Sequence, residues 1–297
     1  MIRADRNPLF ITLGLAAVLL TSAACSDTSA DRDGEEAHVQ AMEREHANDT
    51  PQPSPAATAA PAGEVDSSEV VYATLAGDPA TQVTGYLARP RPAGSQAAPA
   101  IILIHEWWGL NDNIRAVADR FAGEGYIALA VDLYEGRFAD TREGAADLMR
   151  GTLDKSDRLE DNLRQARDYL IETAGASSVG SIGWCFGGGW SLNAAIALGG
   201  DLDAAVIYYG RVTDDRERLG SIEAPILGLF GGLDGGIPVD SVRAFQTALE
   251  ELGGSVEIHV YDDADHAFAN PTGTRYNEAA ATDAWGKTLA FLGENLN

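Results

Sequence analysis

Residues 181–190 read SIGWCFGGGW, which sets one thiol, Cys185, between two aromatics and ahead of three glycines. The spacing Gly183–x–Cys185–x–Gly187 is that of a strand–turn–helix nucleophile elbow, where little side-chain bulk on either side lets the chain turn sharply. Such a turn aims the sulfur outward at the end of a strand. It also places it at the N-terminus of the next helix, whose dipole favours a thiolate. The competing reading is a structural cysteine in a glycine-rich turn.

A nucleophile needs a base, and the base needs a group to orient it. Elbow enzymes carry these in the order nucleophile, acid, histidine. Downstream of Cys185, LFGGLDGGIP offers Asp234 just after a strand pattern, and VYDDADHAF offers His266 after the last one. Asp262, Asp263 and Asp265 are rival acids, but they crowd His266 in sequence and leave the LDGGIP turn without a purpose. Taken alone, Asp234 could instead cap the helix expected from Val239. His259 falls inside a strand pattern and reads as structural. Upstream, LIHEWWGLND follows a buried strand. It puts Glu106 and the backbone N–H of Trp107 at a strand end, where a second oxyanion donor is expected beside the N–H of Phe186. One of Trp107 and Trp108 packs; Trp108 is placed at the substrate. His105 reads as a packed residue.

These residues need a scaffold that brings strand ends together. From about residue 69 the chain alternates strand and helix patterns. EVVYATL and TQVTGYLAR suggest a leading hairpin. PAIILIHE and YIALAVDLY are continuous apolar runs, as strands buried on both faces require. NDNIRAVADRFAGEGY has helical spacing, a polar cap and a glycine stop. Repeated βα units imply α/β architecture, a mostly parallel central sheet flanked by helices on both faces. Sites in such sheets form at the carboxyl ends of strands.

The N-terminus reads differently. Residues 1–25 carry Arg3, Arg6, the apolar run LFITLGLAAVLL and then TSAAC, the pattern of an export signal rather than a membrane span. Small residues running into Cys25 resemble a lipoprotein signal, in which Cys25 is lipidated; cleavage after Ser22-Ala23-Ala24 is the alternative, and Ser22 stands where a leucine is usual. The expected location is periplasmic or membrane-anchored, in a bacterium. Residues 26–68 are acidic and rich in Ala, Pro, Ser and Thr, and are expected to be a disordered tether with His38 and His46 solvated. The folded domain is then 69–297. The formal charge of −24, from 45 acidic and 21 basic residues, excludes the basic surface that nucleic acid needs. No clustered ligand spacing indicates a metal, and the GGG run lacks the ending of a phosphate loop, so no cofactor is expected. A monomer is expected.

HEWWGLND, VDLYEGR, GWCFGGGW, LFGGLDGGIP and HAFANP, in this order and spacing, resemble the dienelactone hydrolase family over roughly residues 70–295. The resemblance implies an α/β-hydrolase fold and a triad of Cys185, Asp234 and His266. It implies that Glu106 contacts the resting thiol until substrate displaces it. It further implies a small ester or lactone as substrate, cleaved through a Cys-bound thioester. Two arginines hold the substrate carboxylate in that family. Arg137 matches one with a one-residue shift, while Asn270 stands where the other is expected, with Arg275 nearby. A neutral amide there cannot make a bidentate guanidinium contact, which puts an anionic substrate in question. A ligand-binding protein on the same fold is the alternative, and a redox thiol a third reading, disfavoured because no resolving cysteine lies near Cys185.

Overall fold

The computed structural model describes residues 27–49, 60–77, 79–91 and 97–296. The segment expected to be an export signal, residues 1–25 with Cys25, lies outside them. One sheet of eight strands organises the chain: β1 (Glu64–Leu75), β2 (Thr81–Arg91), β3 (Ala100–Ile104), β4 (Ile127–Val131), β5 (Val179–Trp184), β6 (Ala204–Tyr208), β7 (Ile226–Gly231) and β8 (Val256–Tyr261). Their order is β1-β2-β4-β3-β5-β6-β7-β8. β1 and β2 form the leading hairpin and join β4 antiparallel; every pairing from β4 to β8 is parallel. The expected strands are therefore present, with β1 starting at Glu64 rather than near residue 69.

β3, β4, β5, β6 and β7 are buried along their whole length, which is why they read as unbroken apolar runs. Helices α2 (Asp112–Gly123), α3 (Arg142–Arg150), α4 (Ser156–Asp168), α5 (Phe186–Leu198), the short α6 (Arg216–Leu219), α7 (Val239–Glu251) and α8 (Glu278–Asn295) connect and cover the strands. From β3 the chain crosses to β4 on one side, and from β5 it builds β6 to β8 on the other. The switch point lies between β3 and β5, where a crevice opens at the strands' carboxyl ends. Glu106 and Trp107 follow β3, and Cys185 follows β5, so the topology delivers both candidate segments to that crevice.

Glycines let these segments approach. A Cβ on Gly183 would stand 1.9 Å from the Gly187 carbonyl oxygen, and one on Gly187 would stand 2.2 Å from that of Ile104. Both obstacles are backbone, which cannot swing aside. Gly183→Ala is therefore expected to cost about 4 kcal/mol or more of stability, the range of a severe core lesion. Thermal unfolding of the variant checks this; a melting temperature within a few degrees of the natural chain contradicts the packing.

One element departs from the expected tether. Residues Asp27–Glu45 form helix α1. Val39, Met42 and His46, at spacings of three and four, are fully buried against the domain. Arg150 of α3 fixes this helix through Glu36 at 3.0 Å and Glu43 at 2.8 Å. Past its end, Asp49 pairs with Arg275 at 3.0 Å and accepts from the Thr274 N–H and hydroxyl. Low apolar content hides a one-sided stripe, and a single buried edge suffices when the domain supplies the other surface.

Candidate active site

β5 ends at Trp184, and Cys185 takes φ 57° and ψ −118° before α5 begins. A non-glycine residue there is strained, by about 1–3 kcal/mol. Two backbone bonds hold it: the Cys185 N–H donates to the Tyr208 carbonyl at 3.0 Å, and its carbonyl accepts from Gly189. Phe186 opens α5, so helix geometry leaves its N–H without an intrahelical acceptor.

Asp234 sits in the turn after β7. Its Oδ1 accepts from the N–H groups of Gly236 at 2.9 Å and Ile237 at 2.8 Å, and its Oδ2 from His266 Nδ1 at 2.7 Å. The N-cap of α7 is Pro238, so Asp234 is not that helix's cap. Burial pushes the Asp234 carboxyl up, but the His266 charge and three hydrogen bonds hold it below the usual range. Of the rival acids, Asp265 accepts the His266 backbone N–H, while Asp262 and Asp263 are exposed. Burial pulls the His266 pKa down, yet Asp234 and Cys185 outweigh it and raise it well above the ordinary value.

Cys185 Sγ and one nitrogen each of His266 and His46 lie within 4.8 Å of one another. The thiol's hydrogen bond goes to Met42 Sδ at 3.4 Å. His46 stands 5.4 Å from His266 and 4.7 Å from Trp107, ring centre to ring centre. Burial lowers its pKa to about 4, against the Asp49 carboxylate that accepts from Nδ1 at 2.7 Å. His46 is thus a neutral buried ring, not the solvated one expected. His38 also leaves solvent: it lines the cleft at Cys185, and burial brings its pKa to about 4.

Glu106 is buried, and its Oε2 accepts from Asn270 Nδ2 at 2.7 Å. Asn270 therefore supports the glutamate. Oε1 has no partner among the described residues. Burial raises the carboxyl to about 7. A carboxyl raised in the folded state contributes stability below its unfolded pKa and loses it as pH climbs through about 7. Glu106→Gln removes that loss, so the variant gains on the natural chain between pH 4.5 and 8, by on the order of 3 kcal/mol. Melting temperatures measured across that range check it; a constant difference contradicts it.

The other expected residues fall as follows. Trp107 and Trp108 are both buried, 4.9 Å apart between ring centres, so both pack. His105 donates from Nδ1 to its neighbour's carbonyl and accepts the Leu133 N–H on Nε2, as a packed residue does. His259 bonds Glu257 on β8. Arg137 is exposed, donates from Nε to the Tyr134 carbonyl at 3.1 Å, and is not among the residues that line the cleft at Cys185. Arg275 is engaged by Asp49. The cleft at Cys185, about 590 Å³, is walled instead by Phe186, Trp190, Met149, Arg211 and Thr213. Sequence reasoning missed Met42, His46 and Arg211; only the first two carried a signal, the helical spacing of α1.

The model of the dienelactone hydrolase family matches residues 83–296. "Protein usf" of Aquifex pyrophilus is 34% identical over 222 residues, covering 72% of this chain and 94% of the relative. A Saccharolobus solfataricus protein named "Putative carboxymethylenebutenolidase" is 31% identical, covering 65% and 88%. Among solved structures, a Klebsiella pneumoniae protein titled "Putative Dienelactone Hydrolase" superposes with a TM-score of 0.69 at 26% identity, over 78% of this chain and all of the other. None of these spans reaches the whole chain, and the family match begins well after α1. Sequence and fold agree from β2 onward: the chain belongs to the dienelactone hydrolase family, a family of α/β-hydrolase fold.

Proposed function

We propose that the chain hydrolyses a lactone or small carboxylic ester through an acyl thioester on Cys185. The observation that carries this is the ordered set of an elbow thiol, His266 beside it, and Asp234 2.7 Å from His266 Nδ1. As its thiolate, Cys185 attacks the acyl carbon, and the carbonyl oxygen becomes an oxyanion met by the N–H groups of Phe186 and Trp107. The C–O bond breaks; the leaving alkoxide takes a proton from His266. Neutral His266 then removes a proton from water, which attacks the thioester and frees the thiolate. Attack needs the acyl carbon about 3–3.5 Å from Sγ. Met42 Sδ holds such a place at 3.4 Å, so Met42 must withdraw or substrate must enter from the Trp190 side. Glu106 supplies a buried carboxyl beside the oxyanion loop. Residues 1–25 would direct export, with Cys25 as the lipid attachment point, which rests on their sequence pattern.

Rapid acid quench during turnover of p-nitrophenyl acetate tests the intermediate. The peptide bearing Cys185 is expected to gain one acetyl group. Steady turnover without a burst or an adduct would assign direct attack by water, and ligand retention without any turnover would favour a binding protein.

A further inference from the structure

Hydrolysis requires neither Met42 nor His46, yet both converge on the nucleophile. Four donors meet there from four places in the chain: Met42 in α1, His46 just past it, Cys185 after β5 and His266 after β8. We propose that Met42 and His46 complete, with Cys185 and His266, a four-ligand site for a copper(I) ion that pins α1 over the nucleophile.

The geometry is close to that of a bound set. Donors around a tetrahedral ion with bonds of about 2.0–2.3 Å lie about 3.3–3.8 Å apart. Met42 Sδ and Cys185 Sγ are 3.4 Å apart, and the thiol and the two imidazole nitrogens fall within 4.8 Å of one another. Closing the thiol and the two imidazole nitrogens to that spacing takes shifts of about 1 Å, and Met42 Sδ already stands at it from the thiol. Imidazoles sharing such an ion through Nε2 keep their centres about 5 Å apart, and those of His46 and His266 are 5.4 Å apart.

Each ring is also held as a ligand is held. His46 Nδ1 lies 2.7 Å from Asp49 Oδ2, and His266 Nδ1 lies 2.7 Å from Asp234 Oδ2. A carboxylate on Nδ1 fixes the tautomer and directs the Nε2 lone pair at a metal. Both Nε2 atoms are buried without a hydrogen-bond partner among the described residues. For His266 a reacting substrate explains that vacancy of partners. For His46, which no catalytic step uses, it is a cost that a metal bond removes.

The donor types select the ion. Thiolate, thioether and imidazole together suit copper, and thioether is not a customary zinc ligand. One thiolate neutralises a monovalent ion, so a copper(I) centre adds no net charge to the buried set. Binding forms S–Cu and N–Cu bonds as the one proton that Cys185 and His266 share leaves to solvent, and no oxidation state changes. The sulfur is then committed, and Met42 and His46 cannot lift away, so copper(I) should stop ester turnover.

The full chain, reduced and free of oxygen, is titrated with copper(I) against bicinchoninate. One ion per chain is expected, and copper X-ray absorption should show two sulfur and two nitrogen neighbours. Met42→Ala and His46→Ala should each weaken binding at least about tenfold. Asp49→Asn, which keeps all four ligands, should weaken it about 10–100-fold. Thermal unfolding shows whether each variant is folded. No binding at all, or binding unchanged in folded Met42→Ala and His46→Ala chains, overturns the proposal; so does zinc(II) held as tightly as copper(I). These readouts are independent of whether any ester is turned over.

Discussion

Cys185→Ala is expected to lower kcat/KM for p-nitrophenyl acetate on the order of 10⁴-fold or more, the scale on which nucleophile loss acts in triad enzymes. The fold should survive. Alanine keeps the Cβ that φ 57° already accommodates, and the backbone bonds to Tyr208 and Gly189 use no sulfur atom. The lost contact is the one to Met42 Sδ, a small buried gap. A melting temperature near that of the natural chain, together with absent turnover, would make the loss chemical. Alanine at this position with appreciable turnover would move the reaction to another nucleophile, and among the described residues the thiol of Cys185 has no replacement at the elbow.

The sequence-based reading succeeded where local chemistry is enough. The elbow is written in Gly183, Cys185 and Gly187, because only glycine lets β5, α5 and the end of β3 approach so closely. The parallel sheet is written in runs such as AIILI and IALAV, which have no polar face to show. The candidate acid and base, Asp234 and His266, follow from their places after β7 and β8 and meet at 2.7 Å. What failed depends on partners distant in sequence. In the sequence Asn270 shows only a missing charge; its role as the Glu106 partner appears when β3 and the loop after β8 meet. The α1 segment departs furthest from its sequence pattern. Its acidic composition matches a tether, but Glu36, Glu43 and Asp49 find Arg150 and Arg275, more than a hundred positions away. Charges that read as solvating become the attachments of a docked helix.

Asp234→Asn should cost about 10⁴-fold in kcat/KM, the loss that the same change causes in a serine triad, while leaving the turn intact. The reasoning is atomic. The Asn side chain keeps an oxygen to accept the Gly236 and Ile237 N–H groups, so α7 still starts where it does. Its amide nitrogen then faces His266 Nδ1, where Asp234 Oδ2 now accepts at 2.7 Å. An amide N–H can only donate, so Nδ1 must carry the lone pair and Nε2 the proton. The ring then presents the wrong tautomer to Cys185 and cannot take a proton from thiol or water. Glu45 Oε2 stands 3.8 Å from the same Nδ1 and is the only other carboxylate paired with it among the described residues. Burial raises the Glu45 carboxyl, which makes it a poorer stand-in. Activity that survives Asp234→Asn but collapses in the double variant with Glu45→Gln would transfer the orienting role to α1. A full loss in Asp234→Asn, with Glu45→Gln changing kcat/KM less than about tenfold, would keep that role in the turn after β7 and leave α1 no part in orienting His266.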